Sequence, residues 1–324
     1  VSFVFKEVDF MALHVFANFV TPFGTAANNR AENEGNITTL QKILWLGEIH
    51  STVSAEAIRF ALRRRLAEEE PENGTNRKFN DELRVNVWSD PQFTGWSNAN
   101  GKIYIDDDLL GYMIAEAAKT EANEEEASKD KKGQAKGTAT VRRAVLEVTR
   151  AISLTPWAGD VTFNAASPGA TPSASKGADP NKNPVPYGTE VHATRYQYGI
   201  ALTPERLRDK TRATKALHAL CHLGPVAGNH GRFLFDFSPE AVVIRVTDDP
   251  APRFLYCFET TDHGKTVSAP RLVQRVQQGD IRPDELFVAG VDLSGIPGIR
   301  QFPGVKAACD AATAEISQRL SLKS

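Results

Sequence analysis

TPFGTAANNRAENEGNITTLQKILWLGEIHSTVSAEAIRFALRRR, residues 21–65, is the part of the chain from which the remainder is best read. Just before it, Leu13–Val20 alternates, with Leu13, Val15, Ala17 and Phe19 on one face, and reads as a strand. The strand feeds a loop crowded with Gly, Asn and Thr that carries one Arg. Asn and Gly tolerate positive φ and leave backbone N–H groups free. A helix follows, with Ser54 as N-cap and Glu56 in the first turn, and Ile58, Ala61, Leu62 and Leu66 recur at helical spacing. Arg59 and Arg63 project on another face, with Arg64 beside them. A helix N-terminus adds a fixed partial positive charge. Loop and helix together predict a groove for a phosphate backbone, with no evident catalytic dyad in it.

The 324 residues suffice for a sizeable core, in one elaborated domain or two. A hydrophobic share of 41% and a charged share of 24% are those of an ordinary soluble protein. The formal charge of −2 argues against a non-specific nucleic-acid coat but leaves room for a local basic strip, since Glu68–Glu72 and Glu121–Asp130 supply acidic counterweight. Cys221, Cys257 and Cys309 lie far apart without CxxC spacing, which supports neither a disulfide framework nor a Cys-rich zinc site. Free thiols of this kind suit the reducing cytoplasm. No apolar run has the length of a membrane span. The opening VSFVFKEVDF is no signal peptide and reads as an upstream extension, with the domain proper starting near Met11.

Further along, Arg84 to Met113 is polar and aromatic, with turns at Asp90-Pro91 and Asn98–Gly101, and reads as a small inserted subdomain. Within the same insertion, 119–137 is dense in charge and reads as a disordered loop. Ala144 to Phe163 is strand-like after Leu146. Asn164–Tyr187 carries five prolines and cannot form a regular element. Strand character resumes over Thr189–Thr203, where Thr194, Tyr196, Tyr198, Ile200 and Leu202 alternate with Arg195, Gln197 and Gly199. Thr203-Pro204-Glu205 reads as a helix start; its buried stripe is Ala213, Ala216, Leu217 and Leu220, its exposed face Arg208, Arg212 and Lys215, and Gly224-Pro225 ends it. Arg232–Phe237 and Val242–Thr247 read as strands, and Val305, Cys309, Ala312, Ile316 and Leu320 as a closing amphipathic helix. The order is βαββαβ with two large additions, an α+β chain of ferredoxin-like, RRM type.

The stretch 21–63 resembles the Cas-seven family of CRISPR effector backbone subunits, in its DevR-like or Cst-type autoregulator branch. The likeness recurs in AISLTPW (Ala151–Trp157), EVHATRYQYGIALTPERL (Glu190–Leu207) and GPVAGNHGRFLFDFSPEAVVIRVTDDPAPR (Gly224–Arg253). It implies a RAMP-type palm with an inserted finger subdomain and a long thumb loop. The palm would comprise 11–66, 144–163 and 189–324, the fingers 67–143 and the thumb 164–188. The implied function is that of a non-catalytic subunit of a type I Cascade, of subtype I-B, acting in antiviral defence. Copies polymerise as a helical filament along the crRNA and present it for pairing with a target DNA strand. Implied partners are other copies, large, small, Cas-five-like and Cas-six-like subunits, and transposition adaptor proteins. No cofactor, metal or membrane is implied. Two alternatives stand beside this reading: a guide-bound endoribonuclease of type III character, and a DNA-binding developmental or transcriptional autoregulator.

A guide holder grips backbone without reading sequence. Asn28, Asn29 and Arg30 are the first candidates for phosphate and ribose contacts, followed by Asn33 and Asn36; the same Asn/Gly cluster also suits plain turns. Ser54 reads as a phosphate ligand or an N-cap, and the two roles coexist. Arg59 and Arg63 extend the positive track or form a solvated face. Gly228, Asn229, His230 and Arg232 form a Gly-rich turn that lets a backbone approach, and Trp157 reads as a base-stacking or a core residue. His218 and His222 have metal-sharing spacing but lack a third ligand. Asp106-Asp107-Asp108 and Asp160 are the carboxylates a nuclease would draw on.

Overall fold

The computed structural model describes residues 12–27, 32–98, 101–115, 139–165, 167, 186–228 and 232–321. Strand β1 (His14–Val20) follows the alternation of its sequence, but both faces are covered. Val15, Ala17 and Phe19 enter one core, Phe16 and Val20 a second. The next segment is not one loop. It contains β2 (Gly24–Ala26), β3 (Asn33–Glu34), β4 (Ile37–Thr38) and a hairpin of β5 (Lys42–Trp45) and β6 (Glu48–Val53). Helix α1 (Ala55–Glu69) starts where its cap predicts: the Ser54 hydroxyl accepts the Ala57 N–H at 3.2 Å, and Ile58, Ala61, Leu62 and Leu66 are buried.

Between α1 and the next strand of the main sheet lie β7 (Arg77–Asn80), β8 (Val85–Trp88), α2 (Thr94–Ser97), α3 (Ile105–Leu110), β9 (Tyr112–Ala115) and β10 (Ala139–Arg142). Among the described residues their strands pair with one another, β7 with β8 and β9 with β10, both antiparallel. The strand-like run after Leu146 divides into β11 (Leu146–Val148), β12 (Ala151–Ser153) and β13 (Val161–Asn164). The run after Tyr187 divides into β14 (Tyr187–Glu190), β15 (His192–Thr194) and β16 (Tyr196–Leu202).

The helix expected from Thr203 begins only at Arg212, as α4 (Arg212–Cys221); Pro204–Arg206 makes one 3-10 turn. Two contacts explain the delay. The Asp108 carboxylate draws the backbone N–H groups of Arg208 and Asp209 at 3.0–3.1 Å, and the Thr203 hydroxyl pairs with His14 Nδ1 at 3.0 Å rather than capping. Arg232–Phe237 is likewise not a strand; Phe235 and Phe237 anchor it as irregular chain against Tyr196 and Tyr198. Then come β17 (Ala241–Thr247), β18 (Glu259–Thr261), β19 (Thr266–Ser268), α5 (Pro270–Gln277), β20 (Leu286–Ala289), β21 (Arg300–Gln301) and α6 (Val305–Arg319). Ala308, Cys309, Ala312 and Ile316 form the buried stripe of α6.

The result is a mixed α+β fold around a nine-stranded sheet, in the order β21-β20-β17-β1-β16-β12-β6-β5, with β11 also on β16. Its centre, β17-β1-β16-β12, is antiparallel throughout, and Ala17 lies opposite both Ile200 and Ile244. Residues of α1, α3, α4 and α6 cover one face. Leu272 of α5, with Phe254, Cys257 and Phe258, covers the other. The polar positions of β16 therefore do not meet solvent. Gln197 exchanges two hydrogen bonds with the Phe258 backbone, and just before the strand Arg195 donates to the Gly264 and Thr21 carbonyls and to Glu240. A buried polar group is tolerated when its hydrogen bonds are met.

Candidate nucleic-acid interface

Three sequence-distant candidates meet beside β14. The first loop supplies β3 and β4, so that Asn33 and Asn36 are exposed on a small sheet of order β13-β14-β4-β3. β4 runs parallel to β14, and the Gly188 N–H donates to the Asn36 carbonyl at 2.9 Å. A Cβ on Gly188 would lie 3.0 Å from Ile37 and 3.2 Å from Val161, so glycine permits this approach. Tyr187 opens β14, and the exposed Arg232 lies 4.8 Å over its ring, a cation–π pair. Asn28, Asn29 and Arg30, Asn229 and His230, and most of the stretch 164–188 lie outside the described residues, as do 119–137 and residues 1–10.

Ser54 and the two residues that lead into the Gly-rich turn line a second cleft. A cleft of about 330 Å³ is lined by Gln41, Ser54, Glu56, Phe60, Val226 and Ala227, and Gly228 follows directly. The α1 start already has an anion of its own. A hydrogen bond from its own backbone N–H, and a further one with Ser54, hold the Glu56 carboxyl below the usual range. An incoming phosphate would share this dipole with Glu56.

Arg59 and Arg63 are not on a solvated face, which corrects the basic outer track expected of α1. Arg59 donates to the Leu110 carbonyl at the end of α3, and Arg63 Nε lies 3.6 Å from Asp106 with the side chain 11% exposed. Burial and the neighbouring guanidinium of Arg77 pull Arg63 down to about 10. Beside them, Phe60, Arg63, Arg64, Arg77, Lys78 and Phe79 line a cleft of about 170 Å³ between α1 and the β7–β8 hairpin. Neither Arg77 nor Lys78 makes an ion pair among the described residues. Sequence reasoning passed over both; the signal was a basic pair inside an aromatic insert, directly after the Asn73-Gly74 turn.

Arg212 corrects the exposed basic face of α4. It is buried, with two bonds to Glu70 and one to Asp108, each of 3.1 Å, and one to the Ile103 carbonyl at 2.8 Å. Trp157 is half-buried: its indole N–H donates to the Val191 carbonyl at 3.0 Å, and the Lys42 ammonium sits 4.0 Å from its ring. Lys42 in turn pairs with Glu190 at 2.7 Å.

The carboxylates of a possible nuclease are engaged elsewhere. Asp106 accepts from the backbone of Asn76 and Arg77, Asp107 from the Asn76 side chain, and Asp108 from Arg142 and Arg212. Burial, then the Asp106 carboxylate, push Asp107 up to about 7. Asp160 is exposed, and its carbonyl holds the Val191 N–H. His218 Nδ1 is 2.6 Å from Glu69, and His222 Nδ1 is 2.9 Å from the His218 carbonyl. His192, which bonds Ser51 at 2.7 Å, is depressed by burial to about 4 and stays neutral. Among the described residues no helix is long and apolar enough to cross a membrane.

The family described as "CRISPR-associated negative auto-regulator DevR/Csa2" matches residues 21–265. "CRISPR-associated protein Cas7/Cst2/DevR" of Myxococcus xanthus (strain DK1622) is 57% identical over 318 residues, covering 95% of this chain and 99% of the relative. Two solved chains share the fold. One, from a "CRISPR RNA-guided surveillance complex", has a TM-score of 0.53 at 16% identity, over 93% of this chain and 99% of its own. Another, from such a complex described as "pre-nicking", has 0.54 at 14% identity, over 94% and 100%. The chain belongs to the DevR/Csa2 family of CRISPR-associated proteins.

Proposed function

We propose that this chain is a non-catalytic backbone subunit of a type I CRISPR Cascade effector, several copies of which hold one crRNA by its sugar and phosphate and present the bases to a target DNA strand. The observation that carries the proposal is the meeting of Asn33, Asn36, Tyr187 and Arg232 beside β14. These exposed donors and this aromatic ring come from three distant parts of the chain and frame the stretch read as a thumb. The family and the fold likeness point the same way. The four central strands serve as a ferredoxin-like palm; α1 lies in the connection from β1 to β12 and α4 in that from β16 to β17, which supports this. The self-contained strand pairs β7–β8 and β9–β10 serve as fingers, and other Cascade subunits complete the complex.

Asn28, Asn29, Arg30, Asn33, Asn36, Ser54, Gly228, Asn229, His230 and Arg232 are the proposed backbone contacts, and Arg64, Arg77 and Lys78 take over the track first given to Arg59 and Arg63. The test is RNA uptake by the purified chain. Short RNAs of unrelated sequence bind with equal affinity, and removal of Arg232 together with Asn36 weakens all of them alike. Discrimination by base order, or no uptake, would end the proposal. The family description favours one other reading, an autoregulator acting on DNA. A gel shift on the chain's own promoter separates the two, since tight sequence-specific binding by the lone subunit belongs to the second alone.

A further inference from the structure

His218 and His222 stand four positions apart at the end of α4, a spacing that puts two side chains on one helix face. Both are exposed, and their rings are centred 4.2 Å apart with a tilt of 37°. His218 Nδ1 lies 2.6 Å from the carboxylate of Glu69, the last residue of α1. His222 Nδ1 lies 2.9 Å from the His218 carbonyl. An ionised carboxylate and a carbonyl can only accept, so each Nδ1 is the donor and carries a proton. In the neutral ring Nε2 then keeps its lone pair, and among the described residues neither Nε2 makes a hydrogen bond.

A carboxylate or carbonyl on one ring nitrogen fixes the tautomer of a metal-ligating histidine and aims the other nitrogen. Here both rings are held in that way, side by side. A plain ion pair between Glu69 and His218 would account for one ring only. With each Nε2 at 2.0–2.1 Å from a tetrahedral ion, the two nitrogens stand roughly 3.3 Å apart, a separation that rings centred 4.2 Å apart allow. We infer that His218 and His222 bind one divalent first-row transition ion through Nε2, with Glu69 as the positioning residue behind His218. Imidazole nitrogen selects zinc, nickel or copper, whereas magnesium and calcium take oxygen ligands. No third His, Cys, Asp or Glu completes the set among the described residues, so water fills the remaining positions and the ion exchanges readily. The bound ion cross-links the last turn of α4, from which the chain runs on to Val226 and Ala227 in the cleft beside Ser54.

The probe is zinc, added to the full, untagged chain after treatment with a chelator. Calorimetry finds one ion per chain, and zinc at about ten times its Kd raises Tm by about 3 °C. Magnesium at the same concentration does neither. Glu69→Ala lowers zinc affinity by about tenfold, and His218→Ala and His222→Ala each lower it further. The two histidines are exposed, so their variants stay folded, which far-UV circular dichroism checks. Wild-type zinc affinity in the double variant His218→Ala and His222→Ala places the ion elsewhere and overturns the site. A wild-type chain that binds neither zinc, nickel nor copper overturns it as well, and wild-type affinity in Glu69→Ala overturns the role given to Glu69. None of these outcomes depends on RNA, so the site stands or falls apart from the function proposed above.

Discussion

Burial brings the charge change of Asp107 close to neutral pH. Its folded pKa, about 7, lies above its ordinary value of 3.8 because burial and the Asp106 carboxylate penalise the anion. Between those two values the folded chain binds a proton that the unfolded chain has released, so this contribution to stability is present below about pH 4 and lost as pH rises to about 7. Asp107→Asn keeps an acceptor for Asn76 and removes the anion. The stability gain of this variant over wild type grows across that window to roughly 2–4 kcal/mol near pH 8, as urea titrations at several pH values will show; a gain independent of pH contradicts the assignment. Arg212 is the opposite case, a cation that the fold requires. Arg212→Leu leaves the Glu70 and Asp108 carboxylates short of a partner in the interior and lowers the free energy of unfolding by about 3 kcal/mol, measured by the same titration.

At the scale of elements, α1 and α3 behave as one clasp. Ser54→Ala removes the cap of α1 and costs about 1 kcal/mol; any further loss of RNA affinity, measured under conditions where the variant is folded, reports the phosphate role of the hydroxyl separately. The end of α3 depends on Gly111, with φ 67° and ψ 178°, backbone that only glycine adopts readily. A Cβ there would lie 2.3 Å from the Arg142 carbonyl. Gly111→Ala therefore costs about 2 kcal/mol or more and displaces β10 from α3, which hydrogen exchange in β9–β10 will detect. The same clasp explains why the basic residues of α1 were misplaced from sequence. Helical spacing separated Arg59 and Arg63 correctly from Ile58 and Leu62, but α3 comes from another part of the chain and covers that second face.

At the scale of the whole molecule, a formal charge of −2 requires that the proposed RNA affinity come from a local set of donors. Replacing Asn28, Asn29 and Arg30 by Ala weakens binding evenly across sequences, and because one cation is lost, the slope of log K against log salt falls by about one. Filter binding at several ionic strengths checks both; an unchanged slope removes Arg30 from the set.

Periodicity set by local chain geometry was enough to define the buried stripes of β1, α1, α4 and α6 and the cap at Ser54, and the motifs alone identified the family. Short strands such as β4, β20 and β21 left no such trace, because two to four residues give too few repeats of an alternation to stand out. Tertiary structure alone decided which polar faces meet water. Arg212 sits where an exposed face was expected, and Arg195 and Gln197 on the polar side of an alternating run, yet segments distant in sequence cover all three and satisfy their hydrogen bonds. A repeat in sequence tells one side of an element from the other, while the covering of each side depends on contacts that no local pattern encodes.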